Sequence, residues 1–348
     1  MATPGHDVAG GRSRPGADRL PVTLLDVLDA AERLEGTLRR TPVFRWRLLE
    51  ACTGAAVCLL KLENRQRTGS FKLRGALNAL LGIDPLQRAN GVVAFSSGNH
   101  GQAVARAAKI LGAPATIVLP DDAEPAKRAA VSAYGADIVT YQRGVEEREA
   151  VAEAVVAERG GTLVPPFDHP RVIAGQGTAT LELLGQAGDA LDLVVVPVGG
   201  GGLAAGAAVV AASRPHGPRV VGVEPEGADD TRRSLETGRR VRIDHPKSIA
   251  DGLLPECPGE LTFEINRRLL EAVVTVSDAE IAAATLALWQ RAKLVVEPSG
   301  AAGVAAAAFG ALDVSGKRVG IVISGGNVSP ERAAMLASVA ETTRWPGR

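Results

Sequence analysis

The sequence predicts an α/β protein of two domains, each a mostly parallel sheet flanked by helices. Three observations lead there. Short β-branched runs alternate with helical patterns along almost all of the 348 residues, the alternation that builds parallel sheets. The chain is 46% hydrophobic, rich in Ala and Gly, and only 3% aromatic, which suits a sizeable core of closely packed helices and sheets. Pro165-Pro166 separates a block from about Gly91 to Glu158, read as four-stranded, from a second block of strands after Leu191.

The elements follow in order. Met1 to Asp18 is rich in Gly, Pro and Arg and reads as a disordered arm with no apolar signal-peptide core. A helix is expected over Leu24–Leu34. The apolar run Ala56–Leu62 is a strand, and a Thr-Gly-Ser turn leads into a helix over Phe71–Leu81. The β-branched runs Gly91–Ser96, Ala115–Leu119 and Asp137–Tyr141 are strands, separated by helices His100–Leu111 and Pro125–Tyr134 and followed by Glu146–Arg159. After the prolines come a helix Ala174–Gly185, a strand Leu191–Val198, a helix Leu203–Ser213 and a strand Arg219–Val223. Strand Ala272–Val276, helices Asp278–Lys293 and Ala301–Leu312, strand Arg318–Ser324 and helix Pro330–Thr343 complete the chain.

Composition excludes several function classes. Lys+Arg and Asp+Glu both total 39, and no basic block points to nucleic acid or a membrane surface. No apolar stretch is long enough to span a membrane. Cys52, Cys58 and Cys257 have neither metal-type spacing nor an even framework, so reduced thiols in the cytoplasm are expected.

Four segments carry chemistry. Lys72 opens a helix after Thr68-Gly69-Ser70, among unpaired backbone N–H groups at the positive end of a helix dipole. Both disfavour its ammonium form, and a neutral lysine amine is the nucleophile that makes Schiff bases. Only seven lysines stand against thirty-two arginines, which sets a lysine at this spot apart. Val195 to Leu203 is an apolar strand running into Gly199-Gly200-Gly201-Gly202 and a helix. Such a turn lets backbone N–H groups close on a phosphate, or is a tight turn in an alanine-rich fold. Glu224 lies at a strand end about twenty residues on, as in dinucleotide sites, but no G-x-G-x-x-G register fits. Ser96-Ser97-Gly98-Asn99-His100 starts another helix and reads equally as a receptor for a small carboxylate or as a capped glycine turn. Ser324 ends a late strand, at the sheet edge where ligands bind, or in an ordinary turn. Glu224, Asp229 and Asp230 form an acidic cluster that suits a hard cation or a solvated turn. His169, His216 and His245 lack ligand spacing and read as surface residues. No G-x-S-x-G is present, which counts against a nucleophile-elbow hydrolase.

Six motifs in order carry a resemblance. Gly69-Ser70-Phe71-Lys72-Leu73-Arg74-Gly75-Ala76, Ser96-Ser97-Gly98-Asn99-His100-Gly101, Gly175-Gln176-Gly177-Thr178, the tetraglycine loop, Ala250-Asp251-Gly252 and Ser324-Gly325-Gly326-Asn327 resemble the fold-type II pyridoxal-phosphate enzymes, within them the threonine/serine dehydratase and serine racemase branch. The resemblance spans about residues 20 to 330. It implies a tryptophan-synthase-β-like fold, with residues 20–88 and 169–348 as a large cofactor-binding domain, 89–168 as a small domain and 1–19 as the arm. It also implies roles. Lys72 would hold pyridoxal 5'-phosphate as a Schiff base, Phe71 would pack on the ring, and Asn99 would bind the ring hydroxyl. Gly199, Gly200, Gly201, Gly202 and Leu203 would bind the phosphate, and Ser324 would face the pyridine nitrogen. Ser96, Ser97, Gly98, Asn99 and His100 would hold the substrate carboxylate. Ser97 would be the racemase acid/base opposite Lys72. Glu224, the Ala228 carbonyl and Asp230 would hold Mg²⁺ or Ca²⁺.

The implied chemistry is dehydration of L-threonine, L-serine or a related 3-hydroxy amino acid to a 2-oxo acid and ammonia. A serine does not hold a proton on the ring nitrogen, so the electron sink is weaker and a Cα carbanion tends to expel a β-leaving group. Lys72 would take the Cα proton. Racemisation is the alternative, and β-replacement of the cysteine-synthase type a further one. The expected partners are a small amino acid and further copies of the chain in a homodimer or larger homo-oligomer. The chain stops about twenty residues after Asn327, so no C-terminal regulatory domain and no isoleucine feedback are expected.

Overall fold

The computed structural model describes residues 20–96, 98–188, 190–341 and 343–346. The expected arm and Ser97 lie outside these. The strands are β1 (Val43–Arg45), β2 (Val57–Leu62), β3 (Val92–Phe95), β4 (Ala115–Pro120), β5 (Asp137–Tyr141), β6 (Thr162–Leu163), β7 (Leu193–Pro197), β8 (Arg219–Pro225), β9 (Ala272–Val276) and β10 (Arg318–Ile323). They form two sheets. A six-stranded sheet runs β1-β2-β10-β7-β8-β9, parallel except for β1. A four-stranded sheet runs β5-β4-β3-β6 and is wholly parallel.

All eight predicted strands are present. The two missing from the sequence reading, β1 and β6, have three and two residues, too few for a period-2 pattern. The block expected to end at Glu158 takes its fourth strand, β6, from beyond that point. Helices Arg47–Thr53, Pro85–Ala89, Asp230–Thr237 and Glu260–Leu269 were also not predicted. Three of these are at most eight residues long, and Glu260–Leu269 starts where the Asp168 carboxylate accepts from the N–H groups of Glu260, Leu261 and Thr262. A cap supplied from 92 residues away leaves no local signal. The helix predicted from Ala174 begins at Pro170 and runs to Ala187. His169, read as a surface residue, is its N-cap: Nδ1 accepts from the Arg171 N–H, with Pro170 at the first helical position.

Each sheet is covered on both faces, as parallel sheets require. One face of the large sheet packs on helices Asp278–Gln290 and Pro298–Ala308, and the other on Pro170–Ala187 and Gly202–Ala212. Gly175-Gln176-Gly177 is the packing device on that second face. A Cβ on Gly175 would stand 2.6 Å from the Arg74 carbonyl, and one on Gly177 3.1 Å from the Gly206 carbonyl. Helix Pro170–Ala187 thus contacts two neighbouring helices backbone to backbone.

Below this crossing lies a buried ionic network. Arg74, 1% exposed, donates to both carboxylate oxygens of Glu63 at 2.8 and 2.9 Å and to Glu182 at 2.7 and 2.9 Å. Lys61 donates to Glu182, Gln186 and the Thr41 carbonyl at 2.6 to 2.8 Å. Two cations meet two anions with nearly every donor used, the condition under which buried charge is tolerated. The charged residues around Lys72 in the lysine segment therefore hold the scaffold.

Candidate active site

Four predicted segments emerge at the carboxyl ends of parallel strands, and three of those strands are neighbours. The lysine turn follows β2, Ser324 follows β10 and the tetraglycine loop follows β7, with β10 between the other two. The Ser96–Asn99 turn follows β3 of the small sheet. Together they line a cavity of about 650 Å³ that also takes in Phe71, Pro166, Phe167, Asp251 and Glu297.

Lys72 lies in the first turn of its helix, as predicted, and is its first residue: the helix is Lys72–Leu81, with Phe71, the expected start, as N-cap. Its Nζ donates to the Pro166 carbonyl at 2.9 Å and lies 5.2 Å from the centre of the Phe71 ring. Its pKa falls to about 8. The main cause is burial, partly opposed by the Glu297 carboxyl. The sequence argument placed the cause in the helix terminus, and the structure places it in desolvation.

The tetraglycine loop is a cradle that side chains would fill. A Cβ on Gly200 would stand 2.2 Å from the Phe167 ring. Gly201 has φ +90° and caps helix Gly202–Ala212. The Gly200 carbonyl accepts from Thr262 Oγ1 at 2.7 Å, which ties the loop to the helix capped by Asp168. Free N–H groups at a helix start, with no side chains in front, suit a phosphate.

At the small sheet, the N-cap of helix Asn99–Leu111 is Gly98, and Ser96 Oγ accepts from the Gly98 N–H at 3.2 Å. Asn99 Nδ2 donates to Glu297 Oε1 at 2.7 Å and keeps a second N–H. His100 is buried, and its Nε2 lies 2.8 Å from the Val164 carbonyl. A carbonyl only accepts, so Nε2 carries the proton and Nδ1 is a bare acceptor. Burial and nearby Lys72 push its pKa down to about 3. Any contact of His100 with a substrate carboxylate would therefore come from its backbone N–H and not from its ring.

Sequence reasoning missed Glu297. It stands just before helix Pro298–Ala308, where an acidic residue reads as a cap. It is 5% exposed, and burial with Asp251 nearby raises its pKa to about 8. At the cavity mouth Asp251 Oδ2 accepts from Lys127 at 3.1 Å and Arg332 at 2.7 Å, and Arg143 and Arg148 line the same side.

The acidic cluster lies one strand beyond the tetraglycine loop, at the end of β8. Glu224 and Asp230 are fully buried. Glu224 accepts from the N–H groups of Thr231 and Arg232 at 3.0 and 2.9 Å, while both Asp230 carboxylate oxygens lack a hydrogen-bond partner. Burial raises Glu224 to about 8, helped by Asp230, and Asp230 to about 7. Asp229 differs: it pairs with Arg232 and Arg233. Among the described residues no group of three or more His, Cys, Asp or Glu side chains is placed to hold a metal, so any cation here would rest on two carboxylates and backbone oxygen.

The chain matches the family described as pyridoxal-phosphate dependent enzyme over residues 34–325. It is 50% identical over 311 residues to an L-threo-3-hydroxyaspartate ammonia-lyase of Pseudomonas sp, covering 89% of this chain and 97% of that one. A protein of the same name from Saccharomyces cerevisiae is 47% identical over 316 residues, covering 91% and 96%. The crystal structure of serine racemase from Dictyostelium discoideum superposes with TM-score 0.82 at 40% identity, covering 89% of this chain and 99% of that one.

Proposed function

This chain belongs to the pyridoxal-phosphate dependent enzymes, and we propose that it is an ammonia-lyase that dehydrates a 3-hydroxy amino acid to a 2-oxo acid and ammonia. One observation carries the reading. A lysine whose amine is half neutral near pH 8 shares a cavity with a phosphate-type glycine cradle, a strand-end serine and a carboxylate-type turn. The residues fit the cofactor: the glycine loop offers a phosphate backbone N–H groups at a helix start with no side chains of its own, and the Ser324 hydroxyl follows β10, between the lysine turn and that loop. Lys72 would hold it, Gly199 to Leu203 its phosphate, Asn99 its ring hydroxyl and Ser324 its ring nitrogen, with Phe71 against the ring. When bound, the cofactor stabilises negative charge at the substrate Cα.

The chain's own groups do the rest. Backbone N–H groups of Asn99 and His100, with the Ser96 hydroxyl, receive the substrate carboxylate at the helix start, and the Gly98 N–H holds the Ser96 oxygen there. Lys72, once displaced, has its amine pKa lowered to about 8 and in its neutral form takes the Cα proton. Loss of that proton with departure of the β-hydroxyl as water leaves an enamine, whose imine tautomer takes up a water to give the 2-oxo acid and ammonia. We infer a substrate with a second carboxylate: it would compete for Lys127, Arg143, Arg148 and Arg332, which line the cavity already paired with Asp251, Asp122, Glu149 and Asp251 in turn. The relatives named for L-threo-3-hydroxyaspartate support the same choice. Racemisation is the second reading, supported by the serine racemase neighbour, with Ser97 as the acid/base opposite Lys72.

The domain division goes with this function. All four strands of the small sheet fall between residues 92 and 163, which supports a small domain of 89–168 closing on a large domain of 20–88 and 169–348. Glu224, Ala228 and Asp230 would hold a Mg²⁺ or Ca²⁺ that stabilises the cofactor domain. The support is a pair of buried carboxylates, one with no partner for either oxygen. All three cysteines are free, and among the described residues no helix is long and apolar enough to cross a membrane. The free thiols favour a reducing, cytoplasmic setting.

The test is a panel of L- and D-forms of threo-3-hydroxyaspartate, threonine and serine, given to enzyme loaded with pyridoxal phosphate. The products are read as 2-oxo acid and as inverted amino acid. Oxo-acid formation from an L-3-hydroxy amino acid, strongest with hydroxyaspartate, is expected. A loaded enzyme that turns over none of them, or only racemises, overturns the assignment.

A further inference from the structure

Asn327 lies three residues past Ser324, on the cavity wall. Its side-chain nitrogen donates to the Thr68 carbonyl at 2.8 Å and to Asn99 Oδ1 at 2.7 Å. The Thr68 carbonyl can only accept, so the Asn327 atom facing it is the nitrogen. Its second hydrogen needs an acceptor, which turns the Asn99 oxygen toward Asn327 and the Asn99 nitrogen toward Glu297 Oε1, 2.7 Å away. One backbone carbonyl thus sets the orientation of two amides in series. Asn99 is left with one free N–H beside the cavity.

This relay crosses between the sheets. Asn99 starts the helix after β3 of the small sheet, whereas Asn327 follows β10, Thr68 follows β2 and Glu297 precedes a helix on the large sheet. The Asn327 turn is also joined to the lysine turn: the Gly326 N–H donates to the Gly69 carbonyl at 2.9 Å, and Ser70 bridges Gly325. Gly69, at φ +74°, leaves space for the amide, since a Cβ there would stand 2.3 Å from Asn327 Oδ1.

We propose that Asn327 is a positioning residue that fixes the Asn99 amide with its free N–H presented to the cofactor's ring hydroxyl, and that this contact is complete only when the small domain meets the large one. The inference rests on the reading of the cavity as a pyridoxal-phosphate site. Without Asn327 only Glu297 holds the Asn99 amide, and a flipped amide sets an oxygen against the ring oxygen.

A double-mutant cycle on cofactor affinity tests it. Apoenzyme of wild type, Asn327→Ala, Asn99→Ala and the double variant is titrated with pyridoxal phosphate, and the visible absorption band is recorded from pH 6 to 9. Each single change is expected to weaken binding about tenfold, the scale of one hydrogen bond, and to move the band. The double variant is expected to match Asn99→Ala. Losses that multiply to about a hundredfold would overturn the proposal, because Asn327 would then act independently of Asn99. Asn327→Asp keeps the shape and removes both donors, so it serves if the alanine variant fails to fold. It is expected to move the band as Asn327→Ala does, and wild-type affinity and band in it would also overturn the proposal. If wild-type apoenzyme takes up no pyridoxal phosphate, the reading of the cavity fails and the proposal with it. Normal uptake with multiplying losses removes the proposal alone.

Discussion

Lys72 should capture pyridoxal phosphate far faster at neutral pH than an ordinary lysine. Burial brings its pKa from 10.5 to about 8. At pH 7.5 roughly a quarter of such amines are neutral, against about one in a thousand at the ordinary value, a gain of roughly 250-fold in nucleophile. The perturbation is pH, applied to apoenzyme mixed with excess pyridoxal phosphate, with capture followed by visible absorbance and scaled to a free lysine derivative. The scaled rate is expected to hold level up to about pH 8 and to fall about tenfold per pH unit above it. Glu297→Gln removes the anion that favours the ammonium form and should move the midpoint lower. Lys72→Ala should abolish capture and nearly all turnover. The same shift has a stability consequence. Between about pH 8 and 10.5 the unfolded chain carries a proton on Lys72 that the folded one lacks, so apoenzyme stability should rise with pH across that window. A scaled capture rate that stays level to pH 10 would refute the argument from burial.

Two further outcomes follow from buried charge. Arg74→Met strips Glu63 of its partner at 0% exposure and should destabilise the protein by about 3–5 kcal/mol; a urea midpoint giving less than about 1 kcal/mol would mean the network holds little. Glu224 and Asp230 have folded pKa values raised to about 8 and about 7. The folded chain therefore binds more protons than the unfolded one between about pH 4 and 8. Stability in chelator should fall by several kcal/mol as pH rises across that window and level off above it, and added Mg²⁺ or Ca²⁺ should restore it most at pH 8.5 and little at pH 5.5. Asp230→Asn should be insensitive to the cation; a thermal shift independent of pH, or unchanged in this variant, would sink the site.

Much of the chemistry was legible along the chain because it is written in short local patterns. A strand, a glycine turn and a helix start fit within about ten residues, and each of the lysine, tetraglycine and Ser324 segments has that form. Strand ends of a parallel sheet converge on one edge, so the segments could be assigned to one site before their contacts were known. The eight longer strands were legible for the same local reason. The alternation of strands and helices, the fold class and the place of Lys72 in the first turn of a helix therefore belong to the sequence alone.

What only the tertiary structure decided depends on groups far apart in the chain. Nothing in the local sequence marked Glu297, and burial and the Asn99 amide make it a cavity acid. The His100 ring gives its one N–H to the Val164 carbonyl, 64 residues away. The depressed pKa of Lys72 comes from desolvation by the whole fold more than from its own helix. Asn327 gained a role only because β10 lies beside β2, which brings Thr68 within reach, while the small sheet delivers Asn99 from the other side. Hydrogen-bond partners and burial are set by which strands become neighbours, and no local pattern encodes that adjacency.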